Sequence, residues 1–116
     1  MHELSVCQSI IDQVSHIAAD HHASCIDKIY LQIGPLSGVE PELLISAFSI
    51  AKADTLASHA ELIIQTMPVR VSCEKCSAIS EVVMNHLVCQ SCGDWHTQLL
   101  SGDELLLERV ELQKQH

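Results

Sequence analysis

Apolar residues recur every three to four positions near the start of the chain. Leu4, Cys7, Ile11, Val14 and Ala18 form a stripe that Ile10 and Ile17 widen. That is the helical period, so an amphipathic helix is predicted over about residues 4–19. The pattern then changes. From Asp27 to Ile33 apolar and polar positions alternate, which puts Ile29, Leu31 and Ile33 on one face of a strand. Gly34-Pro35 and Gly38 break the alternation. Pro41 suits a first helical turn and Glu42 favours the positive end of the helix dipole. A second helix is expected from about 41 to 53, burying Leu44, Ala47, Phe48 and Ala51.

Residues 62–71 read as one extended run. Ser101-Gly102-Asp103 makes a turn, and a last strand follows over about 104–112. Its alternation slips, since Leu105 and Leu107 share one face while Val110 and Leu112 share the other. A β-bulge near Glu108 restores the register. The order is helix, strand, helix, strand, insert, strand. It predicts an α+β fold, with two helices packed on a three-stranded sheet and a small ribbon-like insert. One domain would comprise residues 1–68 plus 99–116, and the other residues 69–98.

The insert carries the clearest chemistry. Cys73-x2-Cys76 and Cys89-x2-Cys92 are separated by twelve residues. Two such steps can wrap one ion in a tetrahedral shell of four thiolates, the usual structural zinc arrangement. Two disulfides, a redox-active dithiol and an iron site of the same geometry are the competing readings. Cys7 lies on the apolar helix face and Cys25 just before a strand, so both are left outside the metal site.

Composition narrows the choice. Hydrophobic residues make up 47% of the 116, enough for one folded core with a metal-held satellite. The apolar runs are too short to cross a bilayer. No cationic segment followed by an apolar one is visible at the start, so no signal peptide is expected. Six cysteines without an export signal point to a reducing compartment, and hence to the cytoplasm. The net charge of −9, with Lys75 the one Lys or Arg between Cys73 and Cys92, argues against a nucleic-acid ribbon. A four-thiolate ion has no open position for activated water. There is no G-x-x-x-x-G-K-[ST] loop for nucleotide phosphates and no zinc-deaminase signature, so binding is expected and catalysis is not.

Met1-His2-Glu3 immediately precedes the apolar stripe. The terminal amine, the backbone nitrogen of His2 and its imidazole can close chelate rings around one ion. Nitrogen-rich square-planar shells suit nickel(II) or copper(II), and a solvated terminal histidine is the bland alternative.

Taken together, Met1-His2-Glu3-Leu4-Ser5, Leu31-Gln32-Ile33-Gly34, Pro68-Val69-Arg70-Val71-x-Cys73-x-x-Cys76 and Gly102-x-Glu104-Leu105 resemble the HypA/HybF family. The resemblance spans essentially the whole chain. It implies a nickel metallochaperone for nickel–iron hydrogenase maturation, some relatives also serving urease. It further implies structural zinc on Cys73, Cys76, Cys89 and Cys92, with His2 the principal nickel ligand. Glu3 matches the adjacent position of that site, and Glu40 an acidic position near it. The implied partners are a maturation GTPase and the hydrogenase large subunit or its maturation complex, and a homodimer is compatible. A zinc-ribbon adaptor and a rubredoxin-like iron carrier are the rivals from other classes. Two features depart from the pattern. Ser77 follows Cys76 where a knuckle glycine is common, and Asp94-Trp95-His96 does not align. His86 and His96 flank the second pair and are read as solvated.

Overall fold

The computed structural model describes residues 2–114, with side chains described from Glu3 to Gln113. Helix α1 (His2–Asp20) packs beside α2 (Pro41–Ala51) over strand β1 (Ala23–Ile33). Cys7, Ile10, Ile11, Val14 and Ala18 are buried, as the stripe predicts. Leu4 is an exception: it is 42% exposed, and Glu3 is buried in its stead. The first turn of α1 lies against the start of α2, where a carboxylate finds a partner and leucine does not. His21 and His22 close the helix. The His21 Nδ1 lies 2.9 Å from the carbonyl of Ile17, and His22 adopts a left-handed φ of 55°.

β1 is the middle strand of a three-stranded sheet in the order β2-β1-β6. β2 (Glu61–Thr66) runs parallel to it, and α2 lies on the crossover that a parallel pair requires. β6 (Leu105–Lys114) runs antiparallel on the other side. Tyr30 pairs with Arg109 but Leu31 pairs with Leu107, so Glu108 is the extra residue of a bulge. The sequence slip at Glu108 is this bulge. Leu44 and Phe48 of α2 complete the core over Ile26, Ile29, Leu31 and Ile33, with Ala47 and Ala51 packed at its rim.

The run 62–71 does not form one strand. It divides at Met67-Pro68 into β2 and β3 (Val69–Cys73), which belong to different sheets. Met67 donates to Ile33 O at 2.8 Å, and Pro68 has no amide to continue the ladder. β3 is flanked antiparallel by β4 (Ile79–Val82) and β5 (Thr97–Ser101). The cysteine-bearing insert thus has a three-stranded sheet of its own.

The two sheets meet through backbone. Leu36 N donates to Gly102 O at 2.7 Å, and Gly34 N donates to Glu104 O at 2.9 Å. A Cβ on Gly34 would overlap the Gly102 carbonyl, and one on Gly102 would stand 2.9 Å from Val69 Cα. Only residues without side chains allow this approach. Among the described residues, no helix is long and apolar enough to cross a membrane.

Candidate metal centre

Two short loops build the centre in the same way. Cys73 ends β3, and its amide donates to Ala78 O at 2.9 Å while Ser77 N returns to Cys73 O at 3.0 Å. In the second loop Cys89 N donates to Asp94 O at 2.9 Å, and Gly93 N returns to Cys89 O at 2.9 Å. The residue after each second cysteine has a left-handed backbone, φ 64° at Ser77 and 77° at Gly93. Glycine suits that conformation and serine does not, so the departure seen in the sequence is a local strain.

Each turn aims amides at its first sulfur. Lys75 N and Cys76 N lie 3.4 Å from Cys73 Sγ. Ser91 N and Cys92 N lie 3.3 and 3.4 Å from Cys89 Sγ. The four sulfurs lie within 4.8 Å of one another, with Cys73 and Cys92 3.6 Å apart and Cys76 and Cys89 3.5 Å apart. Metal–sulfur bonds of about 2.3 Å at tetrahedral angles would separate sulfurs by about 3.8 Å, so the cluster fits one such ion. None of the six cysteines is joined to another by a disulfide.

Crowding divides the sulfurs electrostatically. The amide of Cys92 draws the Cys89 thiol down to about 6, helped by the Ser91 amide against burial. The Cys76 amide likewise lowers Cys73. The Ala78 amide pulls Cys76 down, but the thiols of Cys89 and Cys73 push it up to about 12. Four negative sulfurs at these distances repel strongly, and a soft divalent cation relieves that repulsion.

Ser80 supports the second loop in a way the sequence reading missed. Its buried hydroxyl accepts the Gln90 amide at 3.0 Å, tying β4 to the turn between Cys89 and Cys92. The signal was a small polar residue at an inward strand position. His96 does not join the sulfurs. Its Nδ1 lies 3.2 Å from Asp94 Oδ2, and its ring stacks on Trp95 with centroids 3.9 Å apart. His86 bridges to Val83 through backbone. Cys7 donates to Leu44 O at 3.4 Å and Cys25 to Gln113 Oε1 at 3.2 Å, both outside the cluster.

At the other end of the molecule, the backbone of His2 starts α1. Met1 and the His2 side chain lie outside the described residues. The Glu3 carboxylate accepts the Glu40 amide at 3.4 Å, so Glu3 and Glu40 are neighbours, through a side chain of one and the backbone of the other. The Glu40 side chain is exposed. Hydrogen bonding to its carboxylate holds the Glu3 carboxyl down to about 2. The amides of Glu3 and Glu40 contribute to it, and burial opposes them. Glu40 also lines a cleft of about 280 Å³ that Met84, from beyond β4, lines as well.

Four cysteine sulfurs within 4.8 Å of one another, held on a small α+β body, mark a protein equipped to bind a metal ion. Over residues 1–112 the sequence matches the family described as "Hydrogenase/urease nickel incorporation, metallochaperone, hypA". It is 46% identical over 112 residues to the hydrogenase maturation factor HypA of Nitrosospira multiformis, covering 97% of each chain. It is 37% identical over 113 residues to that of Aquifex aeolicus, covering 97% of this chain and 98% of the other. The solution structure of the Ni metallochaperone HypA from Helicobacter pylori superposes with a TM-score of 0.70 at 27% identity, covering 99% of this chain and all of that one. The chain belongs to the HypA family of nickel-incorporation metallochaperones for hydrogenase maturation, which are maturation factors and not enzymes. That role implies contact with the maturation machinery.

Proposed function

We propose that this chain binds nickel(II) at its start and delivers it to nickel–iron hydrogenase during maturation, with urease a further recipient. His2 is the principal ligand, supplying its imidazole and backbone nitrogen alongside the terminal amine. Glu3 is the adjacent member of the nickel site and also holds the first turn in place, and Glu40 offers a carboxylate beside it. The observation that carries this reading is the Glu3–Glu40 bond, which fixes the turn bearing His2 against α2. Few protein ligands at a chain end make a shallow site, and nickel in such a site exchanges more readily than in a closed cysteine cage.

Cys73, Cys76, Cys89 and Cys92 would hold zinc, whose contribution is structural: a filled shell that ties the two loops together. The α+β domain, residues 1–68 plus 99–116, carries the nickel. Residues 69–98 form the zinc domain, with the later boundary falling inside β5. The cytoplasm is the setting, a maturation GTPase drives delivery, and the hydrogenase large subunit or its complex receives the metal. Self-association into a homodimer is compatible with this scheme. Metal analysis with nickel titration of the intact protein beside His2→Ala tests the reading. One zinc in both proteins, with tight nickel binding in the intact one alone, supports it. Equal nickel affinity in both overturns the nickel site.

A further inference from the structure

The four cysteines are equal in sequence spacing and unequal in space. Cys73 and Cys89, the first of each pair, are 3% and 2% exposed, whereas Cys76 and Cys92 are exposed to solvent. Each first cysteine receives two amide hydrogen bonds, from Lys75 and Cys76 or from Ser91 and Cys92. Each second cysteine has one amide partner, Ala78 for Cys76 and Asp94 for Cys92. An amide donated to a thiolate stabilises its charge and occupies a lone pair that would otherwise attack an electrophile. Burial adds steric exclusion.

We propose that Cys76 and Cys92 form the reactive half of the cluster, the modification site for soft carbon electrophiles, and that their modification empties the second lobe of metal. The inference rests on the reading of these four cysteines as a zinc site. With iodoacetamide, a sulfur lone pair forms the new carbon–sulfur bond as the carbon–iodine bond breaks, and iodide leaves with its electron pair. The resulting thioether is uncharged and holds a dication poorly, so the two loops lose their common ligand. Cys73 and Cys89 stay shielded until that happens. Cys25, half-buried and bonded to Gln113, reacts independently because it lies in the other sheet.

The test uses the full zinc-loaded chain and less than one equivalent of iodoacetamide. Labelled peptides are quantified while a chromophoric chelator reports released zinc. The extra amide bond alone predicts about tenfold or more label on Cys76 and Cys92 relative to Cys73 and Cys89. Zinc release should track label at Cys76 and Cys92 and be unchanged in Cys25→Ser. In urea with chelator the four cysteines should label alike, because the bias comes from the fold. Zinc-loaded protein whose Cys73 or Cys89 labels as fast as Cys76 overturns this proposal and leaves the zinc site standing. So does zinc release that follows label at Cys25, or a bias that persists in urea. Purified protein with no zinc overturns the zinc reading itself.

Discussion

The backbone amide of Glu40 donates to the carboxylate of Glu3 across 3.4 Å, so a side chain of α1 closes the start of α2. Glu40 stands at the N-cap of α2 and does not cap the helix with its own side chain, while Pro41 removes one amide from the first turn. A carboxylate there also meets the positive end of the helix dipole.

Glu3 gives the fold a pH dependence with a definite sign. The Glu3 carboxyl is held at about 2 against an ordinary 4.5. A depressed folded value contributes stability that is fully present above 4.5 and is lost as pH falls toward 2. In the folded protein the Glu40 amide resonance should therefore stay constant well below pH 4.5 and move only as pH approaches about 2. Glu3→Ala should abolish that titration, and Glu40→Ala, which keeps the backbone donor, should preserve it. A midpoint near 4.5 would contradict the depressed Glu3 carboxyl.

Nickel binding should carry the opposite sensitivity, in a higher range. In the proposed site the imidazole of His2 and the terminal amine would both have to lose protons to bind. With reference values of about 6.5 and about 7.7–8, affinity should fall steeply between pH 8 and 6. His2→Ala, or residues added before Met1, should remove tight binding without changing the circular dichroism spectrum. Calorimetric titration at the two pH values decides it.

Loss of one sulfur should separate the two sheets in stability. Structural zinc contributes about 10–16 kcal/mol in small zinc peptides, more than a short insert with few buried side chains can replace. Cys76→Ala should lose its zinc and the amide dispersion of β3–β5, while resonances of Ile29, Leu31 and Phe48 stay put. A variant retaining a full equivalent of zinc would rule this out.

Ser77 offers a stabilising change. Its φ of 64° costs a non-glycine residue energy that Gly93, at 77°, avoids. Ser77→Gly should gain about 0.5–1 kcal/mol after the entropy cost of glycine, and Gly93→Ser should lose about 1–2 kcal/mol. Thermal melting of zinc-loaded protein measures both, and a destabilised Ser77→Gly would show that the serine side chain contributes elsewhere.

Two glycines of one loop should respond for different reasons. Gly34→Ala places a methyl on the Gly102 carbonyl and should cost about 1–3 kcal/mol or more, since backbone must move. Gly38, at φ 81° with open space around it, should cost only about 1 kcal/mol on substitution by alanine. Urea denaturation ranks them. Equal losses would mean that the junction is loose.

The legible parts of this chain are those where burial imposes a period. The α1 stripe, the inward face of β1 and the slip at Glu108 all reflect side chains facing one core. The first turn was misread because Leu4 and Glu3 exchange roles where α1 leaves the sheet and meets α2. The second sheet was illegible because Ile79, Leu99 and Leu100 stay exposed, so its short strands show no clean alternation. Pro68 was the missed punctuation between β2 and β3. The four cysteines announced themselves by spacing, because a chelating turn has a fixed length. Their unequal surroundings depend on which amides each turn directs at sulfur, and spacing carries no record of that.

The crossing at Gly34, Gly102 and Val69 has a mechanical consequence. The chain passes between the sheets twice, at Met67-Pro68 and at Gly102–Glu104, and the two passages touch, with Ser101 Oγ donating to Pro68 O at 2.9 Å. One tether would act as a swivel. Two tethers side by side would act as a strap hinge, favouring a swing of the lobes about the line joining the tethers over twisting around the long axis. Met84 and Glu40 both line the cleft beside that junction, so any swing of the lobes would change the cleft at the start of α2.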